Sequence, residues 1–223
     1  MPDIDKSVYR GGTGEVVEKK SRFIATVTAV STKEEAEEFI ASCKKKYWDA
    51  RHNCSAYIIA GAVDILHSSD DGEPSGTAGK PMLEVLVKEG IRNVCVVVTR
   101  YFGGTLLGTG GLVRAYQAAV KEGLKNCVLL EKKAGIKAEI ITDYNDVGRL
   151  QHFFSSSRVV VLHSEYGQNV VMELLIPQEE RIRVEEKVVD ITNGKTGLDS
   201  VEEVFYAPVE GEVKIWKIES KKD

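Results

Sequence analysis

The sequence predicts an α+β protein of two domains, and three observations predict it. Period-two apolar runs alternate with amphipathic helical patterns along the 223 residues. A polar stretch at 131–135, EKKAG, separates two such series and reads as a linker. Beyond it the elements follow the order β-α-β-β-α-β, the split motif of ferredoxin-like domains. The expected boundaries are 1–131, 136–208 and a tail at 209–223.

In the first domain the opening ten or so residues read as an arm. Residues 15–20 and 22–30 read as strands, because Phe23, Ala25, Val27 and Ala29 alternate with Ile24, Thr26, Thr28 and Val30. Thr32 followed by Glu35 is a capping box. Ala36, Phe39, Ile40 and Cys43 then form a helical stripe, and Lys44, Lys45 and Lys46 suit the negative pole at its end. A strand is expected from Asn53, with Arg51 and His52 at its entrance. Residues 61–80 are a long irregular segment with a short strand at 63–66. Pro81 opens a helix and Gly90 closes it. A buried strand runs over 94–98. The last helix carries Leu112, Tyr116, Val120 and Leu124 on one face, and 127–130 can add an edge strand.

The second domain reads more simply. A strand at 136–142 precedes a helix capped by Asp143, with Val147, Leu150 and Phe154 as its stripe. Residues 158–165 and 169–176 form a hairpin. Pro177 starts a helix with Val184, Val188 and Ile191 inward, stopped at Gly194. A strand at 201–206 closes the motif. The tail, with Trp216, either adds a strand or packs on a surface.

Composition narrows the class. Hydrophobic residues make up 43 % and charged residues 29 %, as in globular proteins. No apolar run reaches the roughly 18 residues of a membrane span, and MPDIDKSVYRGG lacks the apolar centre of a secretory signal. Cys43, Cys54, Cys95 and Cys127 are scattered without a Cys-x-x-Cys. Neither a disulfide framework, a metal site nor a cofactor is expected, and a reducing cytoplasm fits. The net charge of −4 argues against strong non-specific nucleic-acid binding. Local basic clusters remain at Lys19, Lys20 and Arg22, and at Lys44, Lys45, Lys46 and Arg51.

Residues 94–116, VCVVVTRYFGGTLLGTGGLVRAY, carry the main candidate site. A buried strand, a glycine-rich loop (Gly103, Gly104, Gly108, Gly110, Gly111) and a helix N-terminus together suit an anion, because unpaired N–H groups and the helix dipole face the loop. Arg100 and Arg114 flank it as forked donors. The spacing matches neither the Walker nor the dinucleotide pattern. A tight turn that only lets strand and helix pack closely is the structural alternative. Tyr101 and Phe102 can stack bases or pack in the core. The second candidate is the loop at 61–80, where His67, Asp70, Asp71, Glu73 and Thr77 offer acid–base chemistry or, equally, a self-bonded turn.

Four strings resemble the IMPACT/YigZ family: SRFIA at 21–25, ARHNCSAY at 50–57, DDGEPSGTAG at 70–79, and VTRYFGG at 98–104 with Leu107-Gly108. The resemblance covers nearly all of the first domain and, more weakly, the order of elements in the second. It implies an N-terminal domain like the second domain of a small-subunit ribosomal protein. It implies a C-terminal domain like the last domain of elongation factor G. Eukaryotic relatives regulate translation; bacterial two-domain members, which this layout resembles, look nucleic-acid- or ribosome-associated.

Three functional readings follow. The first is a translation-linked regulator that meets RNA or the ribosome through Arg51, His52, Arg100, Arg114 and the glycine loop. The second is an enzyme acting on a phosphorylated or carboxylated small molecule at that loop, with no spacing that nominates a reaction. The third is an adaptor with a protein partner, its glycines serving backbone geometry. No membrane partner is expected.

Overall fold

The computed structural model describes residues 5–217. The chain divides into two compact units, Asp5–Glu131 and the part from Lys132 onward. The first unit contains β1 (Asp5–Arg10), β2 (Gly12–Glu18), β3 (Ser21–Ala29), α1 (Lys33–Lys46), β4 (His52–Ile59) and β5 (Ile65–Ser69). It continues with α2 (Gly79–Lys88), β6 (Ile91–Arg92), β7 (Val94–Tyr101) and α3 (Gly108–Lys125).

Strands β2, β3, β7, β4 and β5 form one sheet in that order, every neighbour antiparallel. The alternation of side chains explains its layers. Phe23, Ala25, Val27, Cys54, Ala56, Val96 and Val98 face α2 and α3. Tyr57, Ile59 and Cys95 face α1. Strand β7 is central and covered on both sides, which is why its sequence is an unbroken apolar run. Helix α1 opens on its capping box: Thr32 Oγ1 accepts from Glu35 N at 3.2 Å, while the Glu35 carboxylate takes Ser31 N at 2.6 Å.

Several local expectations need correction. The arm is a strand from residue 5, since β1 pairs in parallel with β6, Lys6 opposite Ile91; residues 1–4 lie outside the described residues. Helix α2 begins at Gly79, two residues before Pro81. A Cβ at Gly79 would sit 2.6 Å from Ser69 N, so the chain can turn into the helix there only with glycine. The stretch 131–135, where the chain passes from one unit to the other, is strand rather than irregular: it lies within β8 (Val128–Thr142), and Lys133, Ala134 and Gly135 pair with β11.

The second unit adds α4 (Tyr144–Ser155), β9 (Val160–Tyr166), β10 (Val170–Pro177), α5 (Arg181–Ile191), β11 (Asp199–Val209) and β12 (Glu212–Lys217). Its antiparallel order is β9-β10-β8-β11-β12. Ile136, Ala138 and Ile140 of β8 pack with Leu150 and Phe154 of α4 and with Val184 and Val188 of α5. Asp143 caps α4 as expected, accepting from Asn145 N at 3.0 Å. A 3-10 turn over Gln178–Glu180 separates Pro177 from α5. The tail adds a strand: Trp216 stands opposite Phe205, with Lys132 Nζ 5.2 Å from its ring centre. Residues 218–223 lie outside the described residues.

Helix α3 crosses β2 at unusually short range. A Cβ at Gly14 would lie 2.6 Å from Gly123 N, and one at Gly123 would lie 2.9 Å from the Ala25 Cβ. Gly14→Val should therefore destabilise the protein by about 2–3 kcal/mol through overpacking. Gly148→Ala, at a helix position with nothing within 4 Å of the new Cβ, should be neutral or gain up to about 1 kcal/mol. Urea denaturation of both variants measures the contrast.

Candidate functional site

One end of the first unit's sheet gathers most of the singled-out residues. There β3 and β4 begin, β7 ends, α1 stops and α3 starts. The register sets His52 opposite Arg100 and Arg22 opposite Tyr101. Gly103 seals this corner. Its N–H donates to Ser21 Oγ at 3.1 Å, and a Cβ would fall 2.0 Å from the Lys20 carbonyl carbon.

Past Gly103 the loop opens to solvent. Gly104 and Gly108 hold φ of 86° and 71° and have nothing within 4 Å of a notional Cβ. Leu107 at the N-cap of α3 supplies no side-chain hydrogen bond, so the first-turn N–H groups have no capping oxygen. Gly108, Thr109 and Gly110 are exposed. Arg114 lies against this turn, its Nη1 3.6 Å from where a Gly110 Cβ would be. Phe102 and Leu106, 54 % and 82 % exposed, form the rim. The corner therefore combines helix-dipole positive charge, one exposed guanidinium and apolar surface.

Arg100 is not part of that open corner. Its guanidinium is buried, Nη1 donating to Glu73 Oε1 at 2.7 Å. It sits 5.4 Å from the Phe23 ring centre and 5.7 Å from that of Phe102. The same carboxylate oxygen accepts Tyr116 O–H at 2.8 Å, and Cys54 Sγ lies 3.3 Å from that hydroxyl. Burial outweighs the Tyr116 contact and pushes the Cys54 thiol up to about 12. The reason for the correction is geometric: residue 100 shares the side of β7 that carries Val96 and Val98, so its side chain enters the core.

The loop between β5 and α2 is likewise bonded to itself and to the sheet. Asp70 caps α2 from a distance, accepting from Gly76, Ala78 and Gly79 N–H at 2.8, 3.0 and 2.8 Å. Burial pushes its carboxyl up, yet these three donors outweigh burial and hold it below the ordinary Asp value. Asp71, at φ 43°, accepts from Asn53 N at 2.7 Å and Lys44 Nζ at 2.6 Å. Its carbonyl lies 2.9 Å from His52 Nδ1. Thr77 donates to Pro74 O at 2.6 Å. His67 is elsewhere: it stacks on Tyr57 at 4.6 Å, on the α1 side. The fold thus separates His67 from the carboxylates with which an acid–base site would group it. Among the described residues no group of three His, Cys, Asp or Glu is placed to hold a metal.

Sequence reasoning missed Tyr116 as a polar partner, reading it only as a core stripe. It also missed Trp48, 82 % exposed. The Lys44, Lys45 and Lys46 run immediately before it was the available signal, because a tryptophan after a helix end amid lysines has no core to enter.

Comparison with known proteins fits this layout. The Impact N-terminal domain model matches residues 19–124, and a domain of unknown function, DUF1949, matches 140–195. IMPACT family member YvyE of Bacillus subtilis (strain 168) is 41 % identical over 93 % of this chain and 96 % of its own. The chain belongs to the IMPACT family. IMPACT family member YigZ of Escherichia coli (strain K12) is 36 % identical, over 83 % of this chain and 92 % of its own. A crystal structure described as that of a hypothetical protein aligns over 91 % of this chain and 99 % of that one. Its TM-score is 0.56 and its identity 31 %. The α+β architecture is therefore shared with that structure along most of this chain.

Two expectations follow from the buried network. Arg100→Ala strands the Glu73 carboxylate and should cost about 3–5 kcal/mol, whereas Glu73→Leu with Arg100→Met should restore much of the loss; chemical denaturation measures both. Asp70→Asn should cost about 1–2 kcal/mol at neutral pH. A lowered folded pKa means this stability exists above the unfolded value of about 3.9 and is lost as pH falls through the folded one. The gap between Asp70→Asn and the parent should thus narrow below about pH 4 in thermal melts.

Proposed function

We propose that this IMPACT-family protein is a translation-linked regulator that binds RNA or the ribosome at the open end of its first unit. The observation that carries the reading is the uncapped, exposed N-terminus of α3 on a glycine loop, with Arg114 laid against its first turn. A phosphate fits such a corner: backbone N–H groups of the first turn donate to its oxygens, and the guanidinium adds a charged fork. Arg51 and Lys20, both exposed, extend the positive surface, and half-buried His52 lines its inner margin. Gly104, Gly108 and Gly110 let a phosphate approach the backbone, while Gly103 and Gly111 are taken up by packing against Lys20 and Leu107. The second unit, with no glycine loop of this kind, serves in this reading as a docking module for a protein partner.

A phosphorylated small molecule would use the same amides. That reading needs a base beside them: Asp70, Asp71 and Glu73 are engaged in the fold's own bonds, which leaves of the candidate bases only His52, its Nδ1 already on the Asp71 carbonyl. The binding reading is therefore preferred. With a net charge of −4, affinity should be moderate and should fall steeply with salt.

Gly110→Asp tests the reading. The position accepts a side chain, its nearest neighbour being the flexible end of Arg114 at 3.6 Å. A carboxylate there should keep or raise stability, by about 0.3–1 kcal/mol, while repelling phosphate. Cosedimentation with ribosomes and RNA anisotropy should show at least about tenfold weaker binding. Arg114→Ala should weaken binding and reduce the salt slope by about 1. Unchanged binding by Gly110→Asp would remove the proposal.

A further inference from the structure

We infer that the nucleic acid taken at this end of the sheet is single-stranded, with its bases stacked on Trp48 and Phe102; the inference rests on the binding reading above. Trp48 is 82 % exposed and Phe102 54 %, although a globular protein gains by burying rings of this size. The turn that carries Trp48 and one side of Phe102 are fixed. Trp48 sits in a tight turn in which Tyr47 N bonds Cys43 O at 2.9 Å and Ala50 N bonds Tyr47 O at 3.0 Å. Its neighbour Asp49 accepts Tyr101 O–H at 2.8 Å, which ties that turn to the end of β7, one residue from Phe102. Phe102 has the Arg100 guanidinium 5.7 Å from its ring centre while much of its surface stays in solvent. The backbone beneath Trp48 and one side of the Phe102 ring are thus fixed, so stacking there costs little ordering of the main chain.

The cations around them argue for a polyanion rather than an apolar partner. Lys45, Lys46 and Arg51 are exposed on the Trp48 side, and Lys20 and Arg114 on the loop side. Aromatic faces interleaved with cations form the platform that single strands use, base on ring and phosphate on cation. A duplex hides its base faces in the stack and offers phosphates and groove edges, neither of which a flat ring can stack on. Exposed rings would then contribute nothing, and the balanced charge of this unit gives duplex binding no compensating attraction.

The chain has two tryptophans, so Trp216→Phe leaves Trp48 as the sole tryptophan emitter. This variant is titrated with a single-stranded RNA oligomer and with the same oligomer annealed to its complement, while anisotropy of a labelled copy reports binding. The single strand should quench Trp48 emission saturably and bind at least about tenfold tighter than the duplex. Trp48→Ala should weaken single-strand binding by about five- to 150-fold, given roughly 1–3 kcal/mol per stacked base, and Trp48→Tyr should restore most of it. Binding that Gly110→Asp abolishes but that leaves Trp48 emission unchanged would overturn the stacking inference alone. Equal affinity for duplex would overturn it too. Absence of binding by either form would overturn both this inference and the reading beneath it. Trp48-dependent capture of a protein from nuclease-treated extract, without RNA binding, would assign the patch to a protein and likewise refute the inference.

Discussion

The ion pair between Glu73 and Arg100 organises the working end of this molecule. Two charges are withdrawn from water, a state that persists only when each finds partners of good geometry. Here Arg100 donates to Glu73, Tyr116 donates to the same oxygen, and two aromatic rings flank the guanidinium, whose Nε alone is buried without a hydrogen bond. One contact thereby joins three elements distant in sequence: the loop after β5, the end of β7 and the middle of α3. The glycine corner can stay open because the layer beneath it is fixed by this network rather than by its own side chains.

The acidic loop has a parallel logic. Its carboxylates look like reagents in the sequence and act as fasteners in the structure. Asp70 replaces the missing cap of α2, and Asp71 binds the entrance of β4. Gly72 and Gly76 take the left-handed conformations that fold so short a string back on itself, and Gly79 allows close approach to β5. Helices α2 and α3 differ instructively: neither carries a cap at its own N-cap residue, but only α2 borrows a carboxylate from elsewhere. The α3 end borrows none, and in the proposed reading its amides are the ones that meet the phosphate.

The α+β class was legible because alternation and helical stripes are local signals. The strand over 94–98, the α1 capping box and the Asp143 cap all stand where their residues indicate. The misread stretches share one cause, a partner far along the chain. EKKAG at 131–135 lacks apolar alternation strong enough to announce a strand, yet β11 pairs with it. The N-terminal strand depends on β6, some eighty residues later. At the site, Gly103 and Gly104 stand on the loop that the sequence indicates, whereas Gly108, Gly110 and Gly111 already belong to the first turn of α3 and Arg114 to its second. Arg100 could not be placed from sequence, because its inward direction depends on strand register, and its partner Glu73 lies in a loop whose path no periodicity describes.

Cys54 gives the network an intrinsic probe. Burial lifts its thiol, and that of Cys95, to about 12, so almost no thiolate exists at neutral pH while the sheet is closed. Alkylating reagents and oxidants can reach these sulfurs at appreciable rates only through opening of the interior. Despite a tyrosine and an acid at its side, the Cys54 sulfur is therefore a poor redox sensor and a good clock. The rate of its modification would time how often the interior around Glu73 breathes.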